Sequence, residues 1–404
     1  MIDFGTVGSM TGTKKMLVVV ALTVLAAAGC TSAAQKQAAT ETAWVGSWAV
    51  AAQSGGRTFD KQTVRQIVHT SAGGSTARIR LTNVFGSAPL TLANVHLALS
   101  KGDAAADAST STAVTFGGEP RVTMAAGASI ESDPIAFDVP ASADLAISAY
   151  LPDASQATTQ HSFANRHNYV ASGDQTTNAT LDGAQTVDSY FFLAGLDVEN
   201  AAAEGTLVAL GASITDGFDS GFGANKRWPD LLSRRFSAAG RTVGVVNAGI
   251  SGNKLLKDGA GESVQKRFER DVLSQPGVKW VILSDAAIND LGDDRPTGDQ
   301  LITALRAVIQ QSHDAGVQIF CSTLTPFKGT NYWSTQGESG REAVNAFLRG
   351  ASSGCDGVID LDAATHDPDN PATYLPAYDS GDHLHPNDAG MQAIADAVDL
   401  SLFR

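Results

Sequence analysis

The hydrophobic period of the chain changes near residue 200, and this change restricts it to an architecture of two unlike halves. From Trp44 to about Asn200 apolar and polar residues alternate, as in Thr76-Ala77-Arg78-Ile79-Arg80-Leu81-Thr82 and in Ala143-Asp144-Leu145-Ala146-Ile147-Ser148-Ala149-Tyr150, with Gly, Pro, Asn and Asp turns between the runs. A period of two puts successive side chains on opposite faces of a strand, and no long helical pattern interrupts it. Short strands at such spacing predict an all-β, jelly-roll-like sandwich. From Glu204 onward strands alternate with helical stretches at Trp228 to Phe236, Thr303 to His313 and Arg341 to Leu348. A last helix carries Met391, Ile394, Ala395, Val398 and Leu402 at helical spacing. Strand–helix repetition implies an α/β half whose parallel sheet is covered on both faces and binds ligands beyond the carboxyl ends of its strands. With 404 residues and 43% hydrophobic content the chain can build two cores. The expected division is 44–200 for the sandwich and 201–404 for the α/β half.

Three strand ends carry groups suited to acyl transfer. The run Gly205 to Leu210 delivers Gly211-Ala212-Ser213-Ile214-Thr215-Asp216-Gly217, a tight turn exposing a serine hydroxyl. A serine is a poor nucleophile until an imidazole takes its proton, and the imidazole works best when a carboxylate fixes its tautomer. His385 and Asp382, in Asp382-His383-Leu384-His385-Pro386, are three residues apart and can converge on Ser213. The strand from Val243 ends in Gly249-Ile250-Ser251-Gly252-Asn253, and Lys279 to Ser284 is followed by Asp285-Ala286-Ala287-Ile288-Asn289-Asp290. The N–H groups of Ser213 and Gly252 and the Asn289 amide would form a three-donor hole for a tetrahedral oxyanion, each donor worth roughly 10²–10³ in rate. Asp379 flanks the same loop and is the competitor for the orienting role. Arg227 and Arg267 to Arg270 are placed to tie loops around the site by ion pairs. The carboxylates of Asp290, Asp293 and Asp294 read as a solvated acidic loop rather than a calcium site.

Ser213, Gly252, Asn289 and His385 fall in the order and context of the four blocks of the SGNH hydrolases, the GDSL esterase/lipase family. Lys226-Arg227-Trp228-Pro229-Asp230, Arg267-Phe268-Glu269-Arg270-Asp271, Leu324-Thr325-Pro326-Phe327 and Tyr378 to Pro386 resemble its two-domain secreted branch, which includes xylanase-associated esterases. The resemblance spans roughly residues 45 to 404. It implies a flavodoxin-like three-layer hydrolase domain, Ser213, His385 and Asp382 as catalytic residues, and small acyl groups, often acetyl, on polysaccharides as substrates. Two positions depart from the pattern. Ala212 stands where the first block usually carries Asp, and Ala287 where Gly usually precedes the Asn block. A missing carboxylate at 212 predicts a looser hole and a slower enzyme, and in the extreme a silent hydrolase that binds glycan. An acyltransferase with the same triad is the enzymatic alternative.

A net charge of −14 leaves no basic stripe to neutralise phosphates, so a nucleic-acid partner is not expected. Apart from His383 and His385 the histidines lack paired metal-ligand spacing, and neither metal nor cofactor is expected. Lys14-Lys15, the apolar Met16 to Leu25 and Ala26-Ala27-Ala28-Gly29-Cys30 read as an export signal over 1–29, with Cys30 resembling a bacterial lipobox cysteine. The expectation is an exported bacterial protein, secreted or anchored to the membrane through lipid on Cys30, with 30–43 as tether. Cys321 lies in an apolar strand, where a buried free thiol is the expectation over a bridge to Cys355, although an oxidising compartment permits one.

Overall fold

The computed structural model describes residues 44–156 and 158–404; the expected export signal, Cys30 and the expected tether lie outside the described residues. Among the described residues no helix is long and apolar enough to cross a membrane.

The first half is all-β. One antiparallel sheet orders the strands Trp44–Ala49, Leu193–Glu199, Gly74–Thr82 and Ile135–Val139. The other orders Gln185–Val187, Asn168–Ser172, Gln62–His69, Asp144–Leu151, Leu90–Leu99 and Thr112–Ala113. Alternation explains which side of each strand is dry. Ala77, Ile79 and Leu81 from the first sheet share one apolar core with Leu145, Ile147 and Leu97 from the second. On the opposite face of the first sheet, Arg78 and Arg80 close on the fully buried Asp197 at 3.0 and 3.1 Å. Trp48, Tyr190, Phe191 and Phe192 are core residues.

The second half is a five-stranded parallel sheet in the order Val243–Gly249, Gly205–Gly211, Val278–Leu283, Gln318–Ser322, Gly357–Ile359. Its core strands are buried on both sides, hence the unbroken apolar run Leu207 to Leu210. The chain leaves Gly205–Gly211 toward one neighbour and returns to the other, so the order reverses around this strand. A crevice opens at such a reversal, and Ser213 follows that strand directly. The helices Trp228–Ala238 and Asp388–Asp396 pack together, as do Gly298–Asp314 and Thr335–Arg349. Two of these helices begin well before the apolar periodicity does. Thr297 and Ser334 cap them by accepting the N–H groups of Gln300 and Gly337. The last helix stops at Asp396, and Leu402 belongs to a short 3₁₀ turn.

The two halves are joined by direct bonds. The Gly46 N–H donates to Thr206 Oγ1 at 2.9 Å and the Val245 N–H to Ser71 Oγ at 2.9 Å. Residues 44–404 accordingly lie within one compact unit. Cys321 and Cys355 are bridged, correcting the expectation of a free thiol: their Cα atoms lie 5.9 Å apart, within disulfide reach, because the segment ahead of Gly357–Ile359 runs beside the Cys321 strand.

Candidate active site

Ser213 opens a single helical turn, Ser213–Asp216, directly after the first parallel strand. Its Oγ lies 2.8 Å from His385 Nε2, and His385 Nδ1 lies 2.5 Å from Asp382 Oδ2. The other Asp382 oxygen accepts the N–H groups of Leu384 at 2.9 Å and His385 at 2.8 Å. Burial pushes the Asp382 carboxyl up, but these backbone bonds and the His385 ring outweigh it and hold the carboxyl below its ordinary range. Asp379 has a different task. It accepts the N–H groups of Gly381 and His383 and pairs with His383 Nδ1 at 2.6 Å, fastening a loop in which His383 adopts a left-handed φ of 67°. Asp219 lies near the Asp382–His385 pair and accepts Ser380 Oγ at 2.9 Å.

Gly252 takes a φ of 79°, a left-handed conformation in which glycine has no steric penalty. Its N–H has no protein partner among the described residues. The Asn289 amide donates one proton to Asn253 O at 2.9 Å, which fixes the side chain and leaves its second proton free. These two turns are bound into the serine turn and to each other. Ser251 donates its N–H and its Oγ–H to Asp216 Oδ2 at 2.8 and 2.7 Å. Arg267, with no exposed surface, donates to Gly211 O, Ala248 O and Asn253 Oδ1, so one guanidinium ties two strand ends and the following loop. Asp290 is buried rather than solvated. It accepts the N–H groups of Leu255 and Leu256, and burial pushes its carboxyl up to about 6 despite those bonds. Asp293 and Asp294 pair instead with Lys254.

The sequence reading missed Asp285. This buried carboxylate accepts the N–H groups of Ala212 at 3.0 Å and Ile214 at 2.9 Å and the Thr215 hydroxyl at 2.6 Å. The turn that Ala212 was expected to leave loose is therefore held from the neighbouring strand. The approach is so close that a Cβ on Gly211 would meet Asp285 Oδ1 at 2.2 Å. A polar residue ending an apolar strand was the available signal. Two further residues went unread. Phe218 packs against His385 with ring centroids 4.5 Å apart and the rings tilted by 45°. His161, from the all-β half, reaches Asp216 at 3.0 Å.

Residues 209–393 match the GDSL-like Lipase/Acylhydrolase family. Among curated proteins none matches the chain significantly. Solved structures similar to this chain include a lipase/acylhydrolase from Enterococcus faecalis, 22% identical with a TM-score of 0.37, covering 48% of this chain and 92% of that one. A variant of Axe2, an acetyl xylan esterase from Geobacillus stearothermophilus, is 23% identical with a TM-score of 0.36, covering 48% and 93%. A GDSL-like lipase from Bacteroides thetaiotaomicron is 16% identical with a TM-score of 0.38, covering 49% and 88%.

Proposed function

We propose, from the premise that residues 209–393 belong to the GDSL-like lipase/acylhydrolase family, that this esterase works through an acyl-enzyme on Ser213. The observation that carries this reading is the hydrogen-bonded chain from Ser213 Oγ through the His385 ring to Asp382, with links of 2.8 and 2.5 Å. An ionised Asp382 accepts the proton on His385 Nδ1, so the Nε2 lone pair faces the serine hydroxyl. His385 takes the Ser213 proton as the oxygen attacks the ester carbonyl, then passes it to the leaving alcohol. In the second half it takes a proton from water, which releases the acid and restores Ser213. The developing oxyanion sits among the Ser213 and Gly252 N–H groups and the free proton of the Asn289 amide.

The substrates in this reading are small acyl esters, acetyl above all, carried by a polysaccharide or a related alcohol. The all-β half, which we take to be jelly-roll-like, supports and shapes the site. We further take the protein to be exported, with lipid on Cys30 as its anchor. Initial rates on p-nitrophenyl acetate and on acetylated xylan, for the parent and Ser213→Ala, test the activity. Loss of both rates in the variant is expected, and a parent inactive on both esters contradicts the substrate class. Lipid labelling abolished by Cys30→Ala in expressing cells tests the anchor.

A further inference from the structure

His161 ends the short strand Thr159–His161 of the all-β half and is 3% exposed. Its Nδ1 lies 2.9 Å from Ala51 O and its Nε2 lies 3.0 Å from Asp216 Oδ1. A backbone carbonyl can only accept a hydrogen bond, so Nδ1 carries a proton. An ionised carboxylate also only accepts, so a second proton lies between Nε2 and Oδ1. The other Asp216 oxygen is committed to the two donors of Ser251, at 2.8 and 2.7 Å. The carboxylate thus faces donors on both sides, and one of them comes from the other half of the molecule.

Asp216 occupies the last position of the turn opened by Ser213, and Ser251 immediately precedes Gly252. The turn's backbone is fixed from outside as well, by Arg227 Nε on Asp216 O at 2.7 Å. The packing is close enough that a Cβ on Gly249 would meet Asp216 N at 2.4 Å. Any displacement of the Asp216 carboxylate therefore moves Ser251, and with it the direction of the next N–H in the chain. His161 shares a small cavity with His69, Arg166, Tyr190, Arg227 and Asp230, and Arg267 adds positive charge from beyond Asp216.

We propose that His161 is a positioning residue for the hydrolytic reaction: as an imidazolium supplied by the all-β half, it holds the Asp216 carboxylate that aims the Gly252 N–H at the oxyanion. This rests on the reading of Gly252 as an oxyanion donor. Burial alone pushes the His161 pKa down. The charge and hydrogen bond of Asp216 and the bond to Ala51 outweigh it, so the imidazolium persists beyond the ordinary histidine range. On this account the all-β half completes the active site.

The experiment uses the mature full chain and four variants: His161→Gln, Asp216→Asn, their double, and Ser213→Ala. It measures kcat and KM on p-nitrophenyl acetate against pH, with thermal unfolding as a check of folding. His161→Gln is expected to lower kcat about 10²-fold, the scale of one misaligned oxyanion donor, with KM nearly unchanged and the alkaline fall of the parent profile lost. The double variant is expected to match the worse single variant, because both act through one link. A cooperatively folded His161→Gln with parental kcat overturns the proposal, and so do single effects that multiply in the double. Should His161→Gln fail to fold, the pH profile of Asp216→Asn decides: loss of the parent's alkaline fall supports the link to His161, and an alkaline fall that persists overturns it. Activity that survives Ser213→Ala instead overturns the acyl-enzyme reading beneath the proposal.

Discussion

The Asp285 carboxylate accepts the Ala212 N–H at 3.0 Å, so the turn presenting Ser213 is fastened from the adjacent strand instead of by a side chain at position 212. Two more donors from the same turn, Ile214 N–H and Thr215 Oγ1, reach the same carboxylate.

Asp285→Ala should then lower kcat by about tenfold to a hundredfold and destabilise the fold by about 1–3 kcal/mol, because it strands buried donors. Ala212→Asp should not accelerate the enzyme. Residue 212 is 1% exposed, and its N–H already contacts Asp285, so the new carboxylate is desolvated beside a like charge. Kinetics and thermal melts of the two variants check this, and a faster Ala212→Asp enzyme would contradict it.

Arg267 is a fully buried ion that ties the strand ends together. Its guanidinium pairs with Asp271 at 3.0 Å and donates to two strand-end carbonyls. Arg267→Met should cost about 3–5 kcal/mol, the usual penalty for removing one partner of a buried pair. Urea unfolding measures it, and a loss under about 1 kcal/mol would assign the tie to other contacts.

The Cys321–Cys355 bridge closes a segment of 34 residues, for which chain entropy predicts about 4 kcal/mol. Cys355→Ser should lower the melting temperature while leaving kcat at moderate temperature close to the parent, since neither cysteine belongs to the site. Parallel melts with and without reductant check the assignment.

Asp144 gives the interface between the halves an acid limit. Burial raises its carboxyl, but His69 at 2.6 Å and Arg166 at 2.7 Å outweigh it and bring it down to about 2. Asn225 donates to the same carboxylate at 3.2 Å. A depressed folded pKa contributes stability that is present above the ordinary 3.8 and is lost as pH falls through about 2. Asp144→Asn should therefore be less stable than the parent near neutrality, by about 1–2 kcal/mol after allowance for its partial exposure. The difference should close below pH 2, as unfolding free energies across pH would show.

Local pattern made some parts of this molecule legible and not others. Ser213, Gly252 and Asn289 could be found because each follows an apolar strand, and strand ends in a parallel sheet share one edge. Asp382 and His385 are three residues apart, so their pairing is a local event. The helix starts at Gly298 and Thr335 were hidden because their first turns are polar and are set by caps instead of by burial. His161 and Asp216 are 55 residues apart and meet only through the packing of two halves, which no periodicity encodes. Asp285 is an aspartate after a strand, an ordinary sight in sequence, and its role emerges only when a neighbouring strand brings Ala212 alongside. The bridge between Cys321 and Cys355 depends on the order of the last two strands.

The most direct test of the Ser213 acyl-enzyme is covalent trapping. The protein is treated with a fluorophosphonate ester, digested and mapped by mass spectrometry, beside His385→Ala. Stoichiometric labelling on the peptide carrying Ser213, slowed severalfold or more in His385→Ala, is the predicted result. Labelling that is absent, or that falls on another serine such as Ser251, would contradict the account.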